Sequence, residues 1–312
     1  MQKFVSLAFA IALSVTFTVS TTFSQYGDIY KIPHGINPHS QSQIWPGFAL
    51  TTGSTRKTTA MSYYGGPMIE TPTIYIIWYG NWNQSNGSDN ASGQTIVRDW
   101  ANSIGGTAYY QLNQSLSING YNLTGNVQYG GDTTDAYSKG NALTDSNIQS
   151  IVDSAISSNR LPYNADGVYF VITSSDVNET SGFCTNYCGW HTYGSITGGR
   201  HVRYSFVGNA KRCLNACAAQ STSPNANAGI DAAVSVLSHE LEEAATDPDI
   251  NAWLDSRGFE NADKCAWTFG HAQYQANGAW ANMAFGGRNW LIQRNIQRTG
   301  SNFYCMVNAG QN

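Results

Sequence analysis

The chain of 312 residues is predicted to fold as a single α/β or α+β domain with a mixed sheet, on three observations. Hydrophobic residues make up 41% of the sequence, which is enough to fill a large core. Runs of β-branched and aromatic residues, typical of buried strands, alternate along the chain with segments of helical periodicity. The six cysteines indicate disulfide bonds that hold the domain together.

The predicted elements follow one another without an internal repeat. Apolar runs, either continuous or alternating, predict strands over residues 73–79, 168–172 and 202–207. Apolar residues at helical spacing predict helices over residues 94–104, 143–160 and 228–246. Pro248 closes the last helix, because proline cannot continue a helix. The segment 109–129, with its Asn-Gly turn, predicts a β-hairpin.

The N-terminus has the features of a secretory signal peptide over residues 1–24. Lys3 is followed by an apolar run from Phe4 to Val19, too short for a membrane span, and then by small residues. Residues 25–60 are rich in Ser, Thr, Gly and Pro without periodicity, which indicates an extended leader or linker. The folded domain is therefore expected over residues 61–312, in a secreted, extracellular protein without a membrane span.

The composition indicates which classes of molecule the protein can bind. Charged residues make up only 12% of the chain and the net charge is −4, so the basic surface that binds nucleic acid is lacking. A surface that is polar through Asn, Ser, Thr and Tyr is common outside the cell. In a eukaryotic source, the N-x-S/T sequons predict glycosylation at Asn83, Asn86, Asn90, Asn113, Asn122 and Asn178.

The cysteines are expected to form three disulfides, and the sequence permits 15 different pairings of them. Local pairs Cys184–Cys188 and Cys213–Cys217 would enclose very short loops, whereas a Cys265–Cys305 bridge would close about 40 residues and contribute roughly 3–4 kcal/mol. The two C-x3-C pairs also allow a zinc cluster, but structural zinc usually shows tighter spacing. Disulfides are therefore favoured over zinc.

Eight of the 20 acidic residues fall between His239 and Asp263, near the C-terminal end of the last predicted helix. There they repel one another and oppose the helix dipole, penalties that a bound cation would reverse. In His239-Glu-Leu-Glu-Glu243, the first and last residues share a helix face, like the histidines of the His-Glu-x-x-His metalloprotease motif. We predict metal ligands at His239 and Glu243, a third at Glu260 or Asp263, and a general base at Glu240.

Several alternatives stay open at this site. One histidine with carboxylates suits calcium as well as zinc, and a metal-free acidic patch on a solvated helix face needs no cation. His191, which follows Cys188-Gly-Trp, is interpreted as a hydrogen-bonded packing residue in preference to a further ligand. Asp231 near the helix start complements the dipole, whereas His201 and His271 have no informative spacing. Neither a Gly-x-Ser-x-Gly elbow nor a phosphate loop is found, which gives serine hydrolase and nucleotide-binding interpretations no support.

Further motifs occur in a fixed order along the chain: Tyr64-Gly-Gly-Pro67, Ile76-Ile-Trp-Tyr-Gly80, Phe183-Cys-x3-Cys188-Gly-Trp-His191, Tyr204-Ser-Phe-Val-Gly-Asn209, then Cys213, Cys217 and Gly229-Ile-Asp231. In sequence and spacing they resemble the phosphate-induced protein 1, or EXORDIUM, family, over about residues 60–310. The resemblance implies a secreted, cell-wall-associated protein, linked in plants to growth and to brassinosteroid or phosphate responses, without an established enzymatic activity.

The segment from His239 to Asp263 departs from the plant pattern and is similar to that of microbial relatives. Together with the resemblance, it leads us to expect a disulfide-stapled, zincin-like domain with a zinc or calcium ion at the end of a long helix. Its activity would be hydrolysis of a peptide or another polar bond. The alternative is a non-catalytic extracellular protein, with structural calcium or with aromatic residues that bind cell-wall polysaccharide.

Overall fold

A computed structural model describes the backbone of residues 32–35 and of Arg56, and all atoms of residues 57–308. The predicted signal peptide over 1–24 and most of the predicted leader over 25–60 lie outside the described residues. None of the helices in the described part has the length and apolar character needed to cross a bilayer.

Helices and strands alternate up to the longest helix, and short strands predominate after it. The α-helices are α1 (Ala91–Ser103), α2 (Asp145–Ser157), α3 (Leu214–Cys217) and α4 (Ala228–Thr246), and 3-10 helices cover Tyr110–Leu116, Ala210–Cys213 and Asp263–Cys265. The strands are β1 (Ile32–Gly35), β2 (Arg56–Thr58), β3 (Met61–Tyr63), β4 (Thr73–Tyr79), β5 (Gln128–Asp135), β6 (Ala142–Leu143), β7 (Gly167–Thr173), β8 (Asn178–Glu179), β9 (Tyr187–Ile196), β10 (Arg200–Gly208), β11 (Trp253–Asp255), β12 (Gln273–Tyr274), β13 (Trp280–Ala281), β14 (Met283–Phe285), β15 (Arg288–Trp290), β16 (Asn295–Thr299) and β17 (Asn302–Met306).

The central sheet has six strands in the order β1-β9-β10-β7-β4-β5. Strands β5, β4, β7 and β10 are parallel, whereas β9 is antiparallel to β10 and β1 is antiparallel to β9. Strands β4 and β7 are buried along their whole length, which explains why their sequences are continuous apolar runs. The predicted strands over 73–79, 168–172 and 202–207 are confirmed as β4, β7 and β10.

Helices cover both faces of this sheet. On one face, the Trp100 ring of α1 meets Phe170 of β7 edge-on, and its indole N–H donates to a serine of α4. On the other face, the Tyr204 hydroxyl of β10 donates to Gln149 of α2 over 3.3 Å. Tyr204 pairs with Tyr169, the neighbour of Phe170, and successive strand residues point to opposite faces. The mixed sheet is therefore the middle layer of three, an arrangement that agrees with the predicted α/β or α+β domain.

Helix α4 has the predicted bounds because both of its ends are fixed by local chemistry. Asn227 Oδ1 accepts the backbone N–H of Ile230 over 3.2 Å at the start. At the end, the Asp247 N–H donates to the Glu243 carbonyl over 2.7 Å, and Pro248 follows. Nearly every residue of α4 is buried, so the face opposite its apolar stripe is covered by other elements as well.

The predicted hairpin over 109–129 is wrong. Residues Tyr110–Leu116 form a 3-10 helix that begins where Thr107 Oγ1 accepts the Tyr110 N–H over 3.1 Å. The predicted turn carries only an isolated bridge between Ile118 and Tyr121. The following strand, β5, instead pairs in parallel with β4, so a long-range pairing wins over the local turn signal.

Three disulfides cross-link the domain, and no cysteine of the described residues is free. The predicted Cys265–Cys305 bridge is confirmed. The predicted local pairs are wrong, because the bridges are Cys184–Cys213 and Cys188–Cys217. Cys188 lies in β9 and Cys217 ends α3, and these two elements contact each other, so the bridges join neighbouring elements instead of closing single turns.

A second, smaller core lies beyond the central sheet. It includes Met61, Trp253, Phe303 and the Cys265–Cys305 bridge. The bridge ties the 3-10 helix Asp263–Cys265 to β17, which pairs with β16 and β2. This core therefore supports the segment that follows α4, which returns toward the end of that helix.

Candidate metal centre

The C-terminal half of α4 carries acidic side chains into the protein interior. His239, Glu240 and Glu243 are at most 1% exposed. Strand β9 approaches this part of α4 closely, since a Cβ on Gly189 would lie 2.6 Å from Val236. The sequence alternative of a solvated acidic helix face is therefore wrong, because the carboxylates are enclosed between α4, β9 and the segment after α4.

His239 makes contact with two of the predicted ligands. Its Nε2 lies 2.9 Å from Glu243 Oε1, one helical turn further along α4, and 3.5 Å from Asp263 Oδ1. The backbone N–H of Asp263 also donates to Glu243 Oε1 over 3.0 Å. The shared helix face that the sequence predicts is thus present, and the loop after Pro248 brings Asp263 to it.

His191, from β9, is a second histidine of the cluster. Its Nδ1 lies 3.3 Å from Glu240 Oε2 and 3.6 Å from Glu243 Oε2. Its Nε2 lies 3.5 Å from Glu260 Oε1. The burial and hydrogen bonds of His191 agree with the predicted hydrogen-bonded packing residue, and because its ring faces three carboxylates it is a candidate ligand as well. It lies on the same strand face as Gly189, but the sequence alone does not show that this face of the strand meets α4.

The segment after α4 is shaped by its own carboxylates. Asp247 Oδ1 accepts the backbone N–H groups of Asn251 and Ala252, both over 2.6 Å, which turns the chain back after the helix. Asp255 is paired with Lys264 and accepts two further backbone N–H groups. These contacts close the segment into a loop and carry Glu260 into contact with His191.

The cluster shows strong electrostatic coupling. Burial alone would lower the pKa of His239, but the charges of Glu243, Asp263 and Glu240 outweigh it and raise that pKa to about 10. Burial alone would raise the pKa of Glu243, yet the two histidines hold it at about 2. Burial raises the pKa of Glu240 to about 7, and it raises the pKa of Glu260 well above its ordinary value.

The donor set fits a divalent cation. Atoms of His191, Glu243 and Glu260 lie within 4.8 Å of one another, and so do atoms of His239, Glu240 and Glu243. Among the described residues, both oxygens of Glu260 and Glu243 Oε2 have no hydrogen-bond partner, although Glu243 and Glu260 are fully buried. Buried carboxylate oxygens without partners are costly, and a cation that several of them coordinate removes that cost.

Glu242, the neighbour of Glu243, belongs to a different polar network. It accepts from the Nδ2 of Asn113, and burial raises its pKa well above the ordinary value. Asn113 Oδ1 in turn accepts from Asn295 over 3.0 Å and from Asn261 over 3.4 Å. Asn113 is 1% exposed, so its predicted glycosylation is incompatible with this structure. Glycosylation at Asn83, Asn86, Asn90, Asn122 and Asn178 stays a prediction.

The remaining sequence candidates lie away from the cluster. His201 pairs with Asp249 over 2.9 Å, and Arg203 shares that carboxylate. His271 is exposed. Asp231 accepts from the backbone and side chain of Asn225, and burial raises its pKa. It therefore takes part in fixing the start of α4.

These observations define the class of protein: a mixed α+β domain with three disulfides and a buried histidine–carboxylate cluster at the end of its longest helix. The conserved region of phosphate-induced protein 1 matches residues 61–283 of the chain. The chain therefore belongs to the phosphate-induced protein 1, or EXORDIUM, family, and the resemblance drawn from its motifs is confirmed.

Curated relatives cover most of the chain. Protein EXORDIUM-like 3 of Arabidopsis thaliana is 32% identical over 84% of this chain and 85% of its own length. Protein EXORDIUM-like 5 of the same plant is 30% identical over 75% of this chain and 74% of its own length. No solved structure matches the chain.

Proposed function

We propose that this chain is a secreted EXORDIUM-family protein that holds a divalent metal ion, zinc in the first place, and hydrolyses a peptide or another polar bond. The observation that carries the proposal is that two histidines and three carboxylates form two adjoining buried groups that share Glu243, with carboxylate oxygens that have no hydrogen-bond partner among the described residues. Structural acidic patches lie at the surface, where water solvates them.

The second histidine favours zinc over calcium. Calcium is bound by oxygen ligands, whereas imidazole suits zinc and other transition metals. His191 and His239 contact different oxygens of the Glu243 carboxylate. His191 lies next to Oε2 and His239 next to Oε1. With Glu260, these three residues form the ligand set that we propose. Asp263, whose Oδ1 lies 3.5 Å from the same His239 nitrogen that faces Glu243, is an alternative ligand to Glu260.

Glu240 is the proposed general base. A bound zinc would supply a water molecule of lowered pKa at this point. Glu240 Oε2 lies 3.3 Å from His191 Nδ1, and its other oxygen has no hydrogen-bond partner among the described residues. A carboxyl group whose pKa is raised to about 7 is suited to accept and return a proton near neutral pH. The zincin-like description is part of this proposal, and it rests on this His-Glu pair in α4.

Secretion is supported by independent features. Three disulfides persist in an oxidising compartment, and none of the described helices could span a membrane. The N-terminal sequence has the composition of a signal peptide.

The test compares two glutamates of one helix turn. Glu240→Gln should lower the rate of zinc-dependent hydrolysis of a peptide library by about 10²–10⁴-fold while metal content stays near that of the wild type. Glu242→Gln, in the Asn113 network, is the matched control and should keep both. Full activity in Glu240→Gln, or no hydrolysis by the metal-loaded wild type, would contradict the catalytic proposal.

A second candidate function is a structural metal centre without catalysis. The observation that favours it is burial, because His191, His239, Glu243 and Glu260 are at most 1% exposed and a substrate needs a route to the metal. In that case the wild type would hydrolyse nothing, and removal of the metal would lower thermal stability alone.

A further inference from the structure

Strand β1, at one edge of the central sheet, comes from the predicted leader. Strand β1 pairs antiparallel with β9, with Ile32 opposite His191, Pro33 opposite Trp190 and His34 opposite Gly189. Residues 36–55 connect it to β2 and the rest of the domain. Strand β9, which carries a histidine of the candidate metal centre, is thus covered along its outer edge by a four-residue segment of the same chain.

The position of β1 relates it to the buried cluster. Its residues lie close to α4 as well as to β9. Without β1, β9 would be the edge of the sheet, with a row of unpaired backbone N–H and C=O groups beside His191. Such an edge binds extended peptides by adding them as a further strand, in which backbone hydrogen bonds give the affinity.

Proline in β1 fixes which backbone groups face β9. Proline has no N–H, so within an antiparallel pair it occupies a position whose N–H would point away from the partner strand. Pro33 therefore leaves the N–H groups of Ile32 and His34, its two neighbours, to point toward β9. It also removes a donor from the outer edge of β1, which discourages a further strand from adding there.

We propose that the edge of β9 that pairs with β1 is the binding surface for an extended peptide substrate. In this proposal β1 occupies the surface as an exchangeable internal strand. The substrate class rests on the proposed function, whereas the binding of a peptide to the edge does not. A substrate in the place of β1 would run antiparallel to β9, and its backbone would pass His191 next to Glu240 and Glu260.

The test weakens β1 in the full chain and measures peptide binding. The double variant Ile32→Pro, His34→Pro removes the two N–H groups that face β9, and Pro33→Ala is the matched control. A fluorescent synthetic peptide of residues 30–37 is the probe, and anisotropy gives its affinity. Since a tethered strand competes at an effective concentration in the millimolar range, the double variant should bind the probe at least about tenfold more tightly than the wild type or Pro33→Ala. A probe methylated at the backbone nitrogens of Ile32 and His34 should not bind.

The outcomes separate this inference from the proposed function. Equal probe affinity in the wild type and the double variant, with unchanged thermal unfolding, would overturn the inference even if the protein hydrolyses peptides. Tighter binding by the double variant, without hydrolysis of any peptide, would support the edge as a peptide-binding surface and contradict the catalytic proposal. Equal binding of the methylated probe would also overturn the inference, because the strand-like hydrogen bonds would then be irrelevant.

Discussion

At the scale of the residue, two adjacent glutamates of α4 have opposite electrostatic roles. Glu243 lies between two histidines that keep its pKa at about 2, so it is ionised. Glu242 accepts from Asn113, and burial raises its pKa well above the ordinary range, the opposite direction from the shift of Glu243. The neighbours of each glutamate therefore decide its role: Glu243 is suited to bind a metal, and Glu242 is suited to accept a hydrogen bond.

The first prediction follows from this contrast. Glu243→Gln should lower zinc affinity by at least about 100-fold, because it removes a direct charged ligand and even outer partners of metal ligands are worth 10–100-fold. Glu242→Gln should leave affinity unchanged, since Glu242 contacts Asn113 and lies outside the proposed ligand set. Competition with a fluorescent zinc chelator measures both values, and equal affinities in the two variants would contradict the ligand assignment.

The second prediction concerns Asn113, which has a sequon but a buried side chain. Asn113→Ala removes the hydrogen bond to Glu242 and the one from Asn295, and it should lower the free energy of unfolding by about 1–3 kcal/mol. The exposed Asn83→Ala should change it by no more than about 0.5 kcal/mol. Urea unfolding gives these values. A glycan found at Asn113 by peptide mass mapping of protein from a eukaryotic host would show that this description of the site is wrong.

At the scale of the element, the loop after α4 depends on Asp255. Burial alone would raise the pKa of Asp255, but Lys264 and the backbone N–H groups of Arg257 and Phe259 lower it below the usual range. A carboxyl whose folded-state pKa is depressed stabilises the protein above its unfolded pKa of about 4, and this stabilisation is lost as the pH falls toward the folded-state pKa.

The third prediction applies this pH dependence of stability to a variant of Asp255. Asp255→Asn leaves Lys264 buried without its charge partner and should lower the free energy of unfolding by roughly 3–5 kcal/mol at pH 7. The difference from the wild type should shrink as the pH falls from 4 toward 2, because the carboxyl of the unfolded wild type then takes up a proton that the folded state does not. Unfolding by urea at several pH values tests it; a difference that grows on acidification would contradict the assignment.

The fourth prediction separates two disulfides by their distance from the cluster. Removal of Cys265–Cys305 by paired Cys→Ser changes should cost about 3–4 kcal/mol, since the sequence separation is 40 residues. Removal of Cys184–Cys213 should cost less, because Cys188–Cys217 still joins the same two segments. Only the first pair should also weaken zinc binding, because Cys265 ends the 3-10 helix that begins with Asp263. An equal loss of zinc affinity in both variants would show that the bridge does not hold the loop in place.

Elements with strong local signals were predictable, and those decided by distant contacts were not. The bounds of α4 follow from apolar spacing between Asn227 and Pro248, and the structure agrees with them. The segment Tyr110–Leu116 buries Leu112 and Leu116 within a 3-10 helix, while β5 joins β4, so the predicted hairpin loses to a parallel pairing of distant strands. The cysteine pairing fails for the same reason, because α3 lies against β9 only in the folded chain.

At the scale of the whole molecule, the candidate site is assembled from three separate segments. His239, Glu240 and Glu243 could be singled out from the sequence, since their spacing on one helix has a chemical meaning. His191 could not be assigned to the cluster, because its position depends on the order of β9 and β10 in the sheet. The edge strand β1 was equally hidden, since its leader sequence has no strand periodicity.

The measurement that tests the central claim most directly is elemental analysis of the full chain, purified without added metal. The proposed ligand set predicts about one zinc per chain, and removal of that zinc should lower the melting temperature, as expected when a ligand binds the native state alone. Calcium in its place would support a structural metal centre and contradict the zinc hydrolase. The absence of bound metal, with the same melting temperature in excess zinc and in chelator, would contradict the metal centre itself.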